Sequence, residues 1–190
     1  AEHTTMHLLY SRFWTKALYD LGLVKDSEAY TVRRNRGLIL GPDGEKMSKS
    51  RGNVINPDEI VERLGADTVR LYLAFMGPYG ITTNYPWDPN GVVGVRRFIE
   101  RVWKLKEKIS DNANDIGTLL HKVIKKITED IEEFKFNTAI SQMMILINDL
   151  DKKDSISKDD YKILLKLLAP FAPHIAEELW NEMGESSSIH

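Results

Sequence analysis

Lys46-Met47-Ser48-Lys49-Ser50 places two ammonium groups and two hydroxyls on five consecutive residues. Lysine supplies point charge, and serine and backbone N–H groups supply hydrogen bonds, so the set suits a polyanion such as a triphosphate. The plainer alternative is a Lys/Ser-rich loop that is merely solvated.

The flanking residues say how such a loop is held. Gly37-Leu38-Ile39-Leu40 is an apolar run with strand character. Gly41-Pro42-Asp43-Gly44 has turn chemistry, with Pro42 presetting φ at the first central position and Gly44 tolerating a positive φ. Asn56-Pro57-Asp58-Glu59 starts a helix: Asn56 caps, Pro57 suits the first helical position, and Glu59 can reach back as in a capping box. The expected layout is strand, polar loop with paired lysines, helix.

The pentapeptide, followed by Gly52-Asn53 and the capped Asn56-Pro57, resembles the signature loop of class I aminoacyl-tRNA synthetases. That resemblance implies a loop that closes over ATP and stabilises pyrophosphate during amino-acid adenylation. It makes Lys46 and Lys49 the catalytic candidates, and Lys46, Met47, Ser48, Lys49 and Ser50 the ATP-binding ones. Glu2-His3-Thr4-Thr5-Met6-His7-Leu8-Leu9-Tyr10-Ser11-Arg12-Phe13 resembles the leucyl-tRNA synthetase segment that follows a Gly-Gly pair and lines the adenosine and ribose pocket. Glu2 and His3 match its Glu-His, so they join the ATP-binding candidates. The resemblance implies ATP with Mg2+ as substrate, and leucine and tRNA(Leu) as partners. Glu28-Ala29-Tyr30 resembles the family's Glu-Pro-Phe, but Arg36-Gly37-Leu38 stands where the family has Gln-Gly-Met, so position 36 inherits no nucleotide role. Arg33, Arg34 and Arg36 form a small basic cluster, either a solvated face or a phosphate contact.

Helices account for most of the rest. Residues 3 to 21 carry Met6, Leu9, Phe13, Ala17 and Leu21 at spacings of three and four, with Gly22 as a stop. His3 and His7 are four apart, which is metal-ligand spacing, but no third ligand is evident and no metal is expected. Residues 57 to 64 form a short helix closed by Gly65, and Ala66-Asp67-Thr68 opens another that breaks at Gly77-Pro78. The stretch from 77 to 90 reads as a loop. Residues 91 to 109 form a helix with Val92, Val95, Ile99 and Val102 on one face. Arg97, Arg101, Lys104 and Lys108 share another face. With Arg96 they are the tRNA-binding candidates, a solvated helix face being the alternative.

From 110 to 190 four helices are expected, marked by Leu120 to Ile131, Asn137 to Ile147, Ser157 to Leu168, and Pro173 to Trp180. Short connections imply antiparallel neighbours. Phe136-Asn137-Thr138-Ala139-Ile140 and Pro173-His174-Ile175-Ala176-Glu177-Glu178-Leu179-Trp180 resemble the anticodon-binding-type bundle of the same synthetases, here expected to pack on the tRNA stem rather than read the anticodon. His174, at a helix start, is read as a structural hydrogen bond. The expected fold is mostly α: the remnant of a Rossmann-like α/β catalytic domain, with short strands near 30–40, followed by an antiparallel α-helical bundle. Residues 1–78 would be the C-terminal part of the catalytic domain with its linking module, and 79–190 the tRNA-facing helical domain.

Composition fits this picture. The 190 residues carry a net charge of −2, so any surface for nucleic acid must be a local patch. Cysteine is absent, which removes disulfides and suits a cytoplasmic location, and no apolar run approaches a membrane span. The first residue is Ala1 rather than Met, Glu2-His3 reads as mid-domain sequence, and the second class I signature, His-x-Gly-His, does not occur in the chain. The expectation is a piece of a longer enzyme, without its N-terminal catalytic half and editing domain and inactive alone. The alternatives are a sister synthetase for isoleucine, valine or methionine, and a non-catalytic RNA-binding derivative.

Overall fold

The structure, a computed structural model, describes residues 4–34, 36–79, 83–113 and 116–190. Glu2 and His3 lie outside the described residues. The chain divides into two compact units, one of residues 1–38 with 80–84 and one of 39–79 with 85–190.

In the first unit, the spacing of apolar residues from Met6 to Ala17 folds as helix α1, Thr4–Asp20. It ends as the sequence predicts. Gly22 N–H donates to Tyr19 O and Leu23 N–H to Leu18 O, both at 2.9 Å, the paired bonds of a Schellman motif. The apolar stripe stays uncovered. Met6, Leu9, Tyr10, Phe13 and Trp14 are all at least half exposed, Phe13 reaching 72%. Large exposed apolar patches of this kind mark interaction surfaces.

The second unit begins with strand β1, Ile39–Leu40, which pairs in parallel with strand β2, Tyr85–Pro86. β2 sits inside the stretch expected to be loop. Two residues are too short for a period to show, and Pro86 argues against a strand. The pairing tolerates proline because the following Trp87 N–H donates to Leu40 O at 3.0 Å. Helix α2, Pro57–Leu64, starts as expected: Asn56 accepts from Asp58 N–H at 3.1 Å and Pro57 occupies the first turn. Among the described residues Glu59 makes no return bond, so the cap is Asn56 alone. Helix α3, Ala66–Phe75, follows directly after Gly65. Helix α4, Pro89–Leu105, starts two residues before the expected boundary and runs on as a 3₁₀ turn, Lys106–Lys108. Asp88 accepts from Asn90 N–H at 2.9 Å and Pro89 follows it, the same cap-then-proline signal as Asn56-Pro57.

The bundle is completed by α5 Thr118–Glu132, α6 Phe136–Asp151, α7 Lys158–Leu168 and α8 Pro173–Glu182. Their apolar stripes meet in one core, with Leu71, Val102, Ile127, Met143, Ile147 and Leu164 fully buried. Phe134, between α5 and α6, has φ 61°, a left-handed conformation unusual for a bulky residue. Its ring packs among Tyr79 and Phe136, 5.9 and 5.4 Å away, and that packing offsets the backbone strain.

Two buried polar groups tie helices together. Tyr161 Oη donates to Val102 O at 3.0 Å, joining α7 to α4, and burial raises its pKa. Asp67, buried in the first turn of α3, accepts from Ile175 N–H at 2.8 Å and lies 2.7 Å from His174 Nδ1. A carboxylate from one helix thus caps the N-terminus of another, where the helix dipole favours negative charge. The structural hydrogen bond expected of His174 is this one. Asp67→Ala should therefore cost about 2 kcal/mol of unfolding free energy, read by urea denaturation, because it removes the cap and orphans a part-buried N–H. A loss as small as that of a typical surface substitution, within ~0.5 kcal/mol, would mean the cap does not hold α8.

Candidate functional site

The lysine loop is a hairpin extension of β1. Gly41 N–H donates to Glu45 O at 2.8 Å, Gly44 N–H donates to Gly41 O at 2.9 Å, and Leu40 bridges Lys46 in antiparallel fashion. Gly44 adopts φ 77°, the left-handed turn position its sequence context predicts. The chain then passes through Ser48, whose φ and ψ of −149° and 137° are extended, into a 3₁₀ turn over Lys49–Arg51.

Burial alternates along this segment. Lys46 is exposed, Met47 and Ser48 are half-buried, and Lys49 and Ser50 are exposed. Met47 packs against the hydrophobic core, so the residue in the middle of the motif is its anchor. Ser48 Oγ and Ser50 Oγ are 2.8 Å apart and bond one another. Arg51 pairs with Glu45 at 3.2 Å. Lys46 and Lys49 are both solvent-exposed ammonium groups, beside two hydroxyls able to accept or donate.

In the sequence Gly52-Asn53 is only the tail of the motif. In the structure Asn53 is its centre. Asn53 Oδ1 accepts from Ser48 N–H at 2.8 Å, and Nδ2 donates to Lys46 O at 3.2 Å and to Asp43 at 3.0 Å.

The tRNA-binding candidates fall into two groups. Arg97 and Lys104 are exposed and seven residues apart, two turns along one face of α4. Arg101 donates to Asp151 at 2.8 Å and to Asn148 at 2.7 Å. Lys108 Nζ donates to Asp151 O and Lys153 O at the end of α6, at 2.6 and 3.0 Å. Arg96 donates to Glu100 at 2.9 Å and to Leu64 O, the last residue of α2, at 3.1 Å. Arg97 and Lys104 thus face solvent, while Arg96, Arg101 and Lys108 are engaged within the fold. A groove of about 750 Å3 runs beside them, with Leu64, Ile99, Trp103 and Ile175 as apolar lining and Arg96, Lys104 and His174 at its polar margin. No single sequence motif announces it, because its walls come from α3, α4 and α8.

In the first unit, Arg12 and Lys16 on α1 both clasp Glu28: Arg12 lies 2.6 and 2.8 Å from its two oxygens and Lys16 2.8 Å from one. The Arg12 hydrogen bonds, more than any other contact, hold the Glu28 carboxyl down at about 2. His7 is exposed on α1. Among the described residues no three His, Asp or Glu side chains cluster as a metal site. No helix there is long and apolar enough to cross a membrane.

Comparison with known proteins gives these features a context. The family described as tRNA synthetases class I (I, L, M and V) matches residues 9–85, and the anticodon-binding domain of tRNA ligase matches 114–190. A leucine–tRNA ligase from Alkaliphilus oremlandii (strain OhILAs) is 54% identical over the whole chain, which spans 24% of that relative. The ternary complex of Agrobacterium radiobacter K84 agnB2 LeuRS with tRNA and LeuAMS superposes with a TM-score of 0.86 at 37% identity, covering 99% of this chain and 27% of that one. A Mycobacterium tuberculosis methionyl-tRNA synthetase bound by methionyl-adenylate shares the fold, with a TM-score of 0.56 at 18% identity over 79% of this chain and 37% of that one. The mostly helical fold with a short parallel strand pair agrees with the sequence expectation.

The loop also has an acid–base signature. Asp43 accepts from Glu45 N–H and from Asn53, and its carboxyl is held below the usual range, first by the Glu45 backbone bond and then by Asn53. A depressed carboxylate pKa stabilises the folded loop above the ordinary aspartate range, and that contribution is lost as pH falls through the depressed value. An NMR titration should place the Asp43 midpoint below the model-peptide value of about 3.9. Asn53→Ala should move it only part of the way back. A midpoint at the ordinary value in the unaltered chain would contradict the hydrogen-bonded turn.

Proposed function

We propose that this chain, which belongs to the class I tRNA synthetases of the I, L, M and V group, is the ATP-phosphate loop and tRNA-facing portion of a leucine–tRNA ligase. The observation that carries the reading is the hairpin that presents Lys46 and Lys49 to solvent between a strand and a capped helix.

In this reading the parent enzyme activates leucine with magnesium-bound ATP. A leucine carboxylate oxygen bonds the α-phosphorus, the bond from that phosphorus to the bridging oxygen breaks, and pyrophosphate leaves with the electron pair. The aminoacyl group then passes to a ribose hydroxyl of tRNA(Leu), releasing AMP. Lys46 and Lys49 meet the charge that builds on pyrophosphate, with Ser48 and Ser50 as hydrogen-bond partners and Met47 as anchor. Glu2 and His3 face the adenosine side. Residues 1–78 belong to the catalytic domain and 79–190 to the helical tRNA domain. Arg97 and Lys104 contact tRNA phosphates, while Arg96, Arg101 and Lys108 hold the face that carries them. The exposed stripe of α1 is covered by the parent's N-terminal catalytic half, and the enzyme works in the cytoplasm.

In the full-length ligase, Lys46→Ala or Lys49→Ala should slow leucine-dependent ATP–pyrophosphate exchange about 100-fold, equivalent to ~3 kcal/mol of barrier. The 190-residue chain alone should show no exchange. Unchanged rates in both variants, or exchange by the isolated chain, would overturn the assignment. For tRNA, Arg97→Glu and Lys104→Glu should each weaken binding and flatten its salt dependence by about one unit of slope. Binding that ignores salt and both substitutions would remove α4 from the interface.

A further inference from the structure

We infer that Asn53 is a positioning residue for the lysine loop: its side-chain amide pairs with the main chain of Lys46 and Ser48 and so fixes where the two lysine stems leave the backbone. The inference rests on the reading of that loop as the phosphate-handling element.

The amide acts as a peptide group of a neighbouring strand would. Lys46 and Ser48 are two residues apart, and Asn53 accepts from the N–H of one at 2.8 Å and donates to the carbonyl of the other at 3.2 Å. Its second N–H goes to Asp43, 3.0 Å from Oδ2 and 3.2 Å from Oδ1. Turning the amide over would set oxygen against the Lys46 carbonyl and the Asp43 carboxylate, and N–H against N–H. The orientation is therefore dictated by all three partners. Asp43 in turn is fixed by Glu45 N–H at 3.1 Å, so turn and motif share one hydrogen-bonded unit.

Gly41 gives an independent sign of the same unit. A Cβ there would fall 2.6 Å from Asp43 Oδ1 and 2.9 Å from Asn53 Nδ2. The two side chains lie over the glycine, so a Cβ there would have to push one or both of them off their partners. Met47, between the paired main-chain groups, packs against the core. The backbone of 46–48 is thus held by an apolar anchor and by an amide, while Lys46 and Lys49 remain exposed. Errors of about 1 Å in a positioning group can cost ~100-fold in rate.

The side chain's demands are narrow. Alanine removes all three bonds. Aspartate puts one carboxylate oxygen against Lys46 O and a second negative charge against Asp43, so Asn53→Asp should be worse than Asn53→Ala. Adding Asp43→Asn to Asn53→Asp restores a donor–acceptor pair between the two positions and should recover part of the loss. A merely structural asparagine would not produce that order.

Two measurements test the inference. In the 190-residue chain, amide hydrogen exchange of Ser48 should quicken at least roughly tenfold in Asn53→Ala, while exchange in the helices stays as it was. In the full-length ligase, the same substitution should lower kcat for leucine-dependent ATP–pyrophosphate exchange about 10- to 100-fold with KM for leucine unchanged, and kcat should rank Asn53→Ala above the aspartate double variant and that above Asn53→Asp. An unchanged Ser48 exchange rate overturns the clamp. A normal kcat in Asn53→Ala, with Lys46→Ala and Lys49→Ala both slow, overturns its positioning role. Normal rates in the lysine variants instead sink the phosphate reading, while the Ser48 measurement still decides whether the clamp exists.

Discussion

Two ammonium groups on a short polar loop repel one another and favour an extended, wandering chain, so their placement depends on how the backbone between them is tied down. Here the tie is double. Met47 is drawn toward the core, and the main chain on either side of it bonds to one asparagine amide. Hydrophobic burial sets the depth of the loop and hydrogen bonding sets its orientation. Neither alone would do both, since methionine is flexible and an exposed amide bond competes with water.

The same division runs through the helices. Apolar stripes on α4, α5, α6 and α7 decide which faces meet, and a few polar contacts decide how the ends align. Asp67 reaches from α3 to the start of α8, and Tyr161 reaches from α7 to the α4 backbone. α1 is the contrast. Its stripe has the helical period, but among the described residues Phe13 and Trp14 stay exposed, so the period alone does not bury the face.

Much of this was legible in the sequence because it is written locally. Caps at Asn56 and Ser157, the prolines after Asn56 and before His174, and the glycine stops at 22, 65 and 184 mark helix ends within a turn of chain. The motif and its turn were legible for the same reason. The pairing of β1 with β2 was not, since its partner residues lie 46 apart and each strand is two residues long. Nor was the groove beside α4, or Asn53 as a hub, because both depend on which side chains the fold brings together.

The basic helix shows most clearly what charge counting misses. From 91 to 108 the sequence carries six cationic side chains against two acidic ones. Several of the six serve the ends of other helices. Arg96 donates to the last carbonyl of α2, and Lys108 to carbonyls at the end of α6; elsewhere in the bundle Arg70 donates to those of Pro170 and Phe171 just past α7. Helix C-termini carry unsatisfied carbonyls and partial negative charge, so a cation there satisfies both. Arg101 meets Asp151, whose carboxylate would otherwise add to the negative end of α6. Sequence periodicity puts these cations on one face but cannot see acceptors that arrive from about fifty residues away. What faces solvent as uncommitted charge is Arg97 and Lys104, spaced by two helical turns, or about 10.5 Å. That distance exceeds the Debye length of about 8 Å at physiological salt, so each acts on its surroundings as a separate charge rather than as part of one merged field.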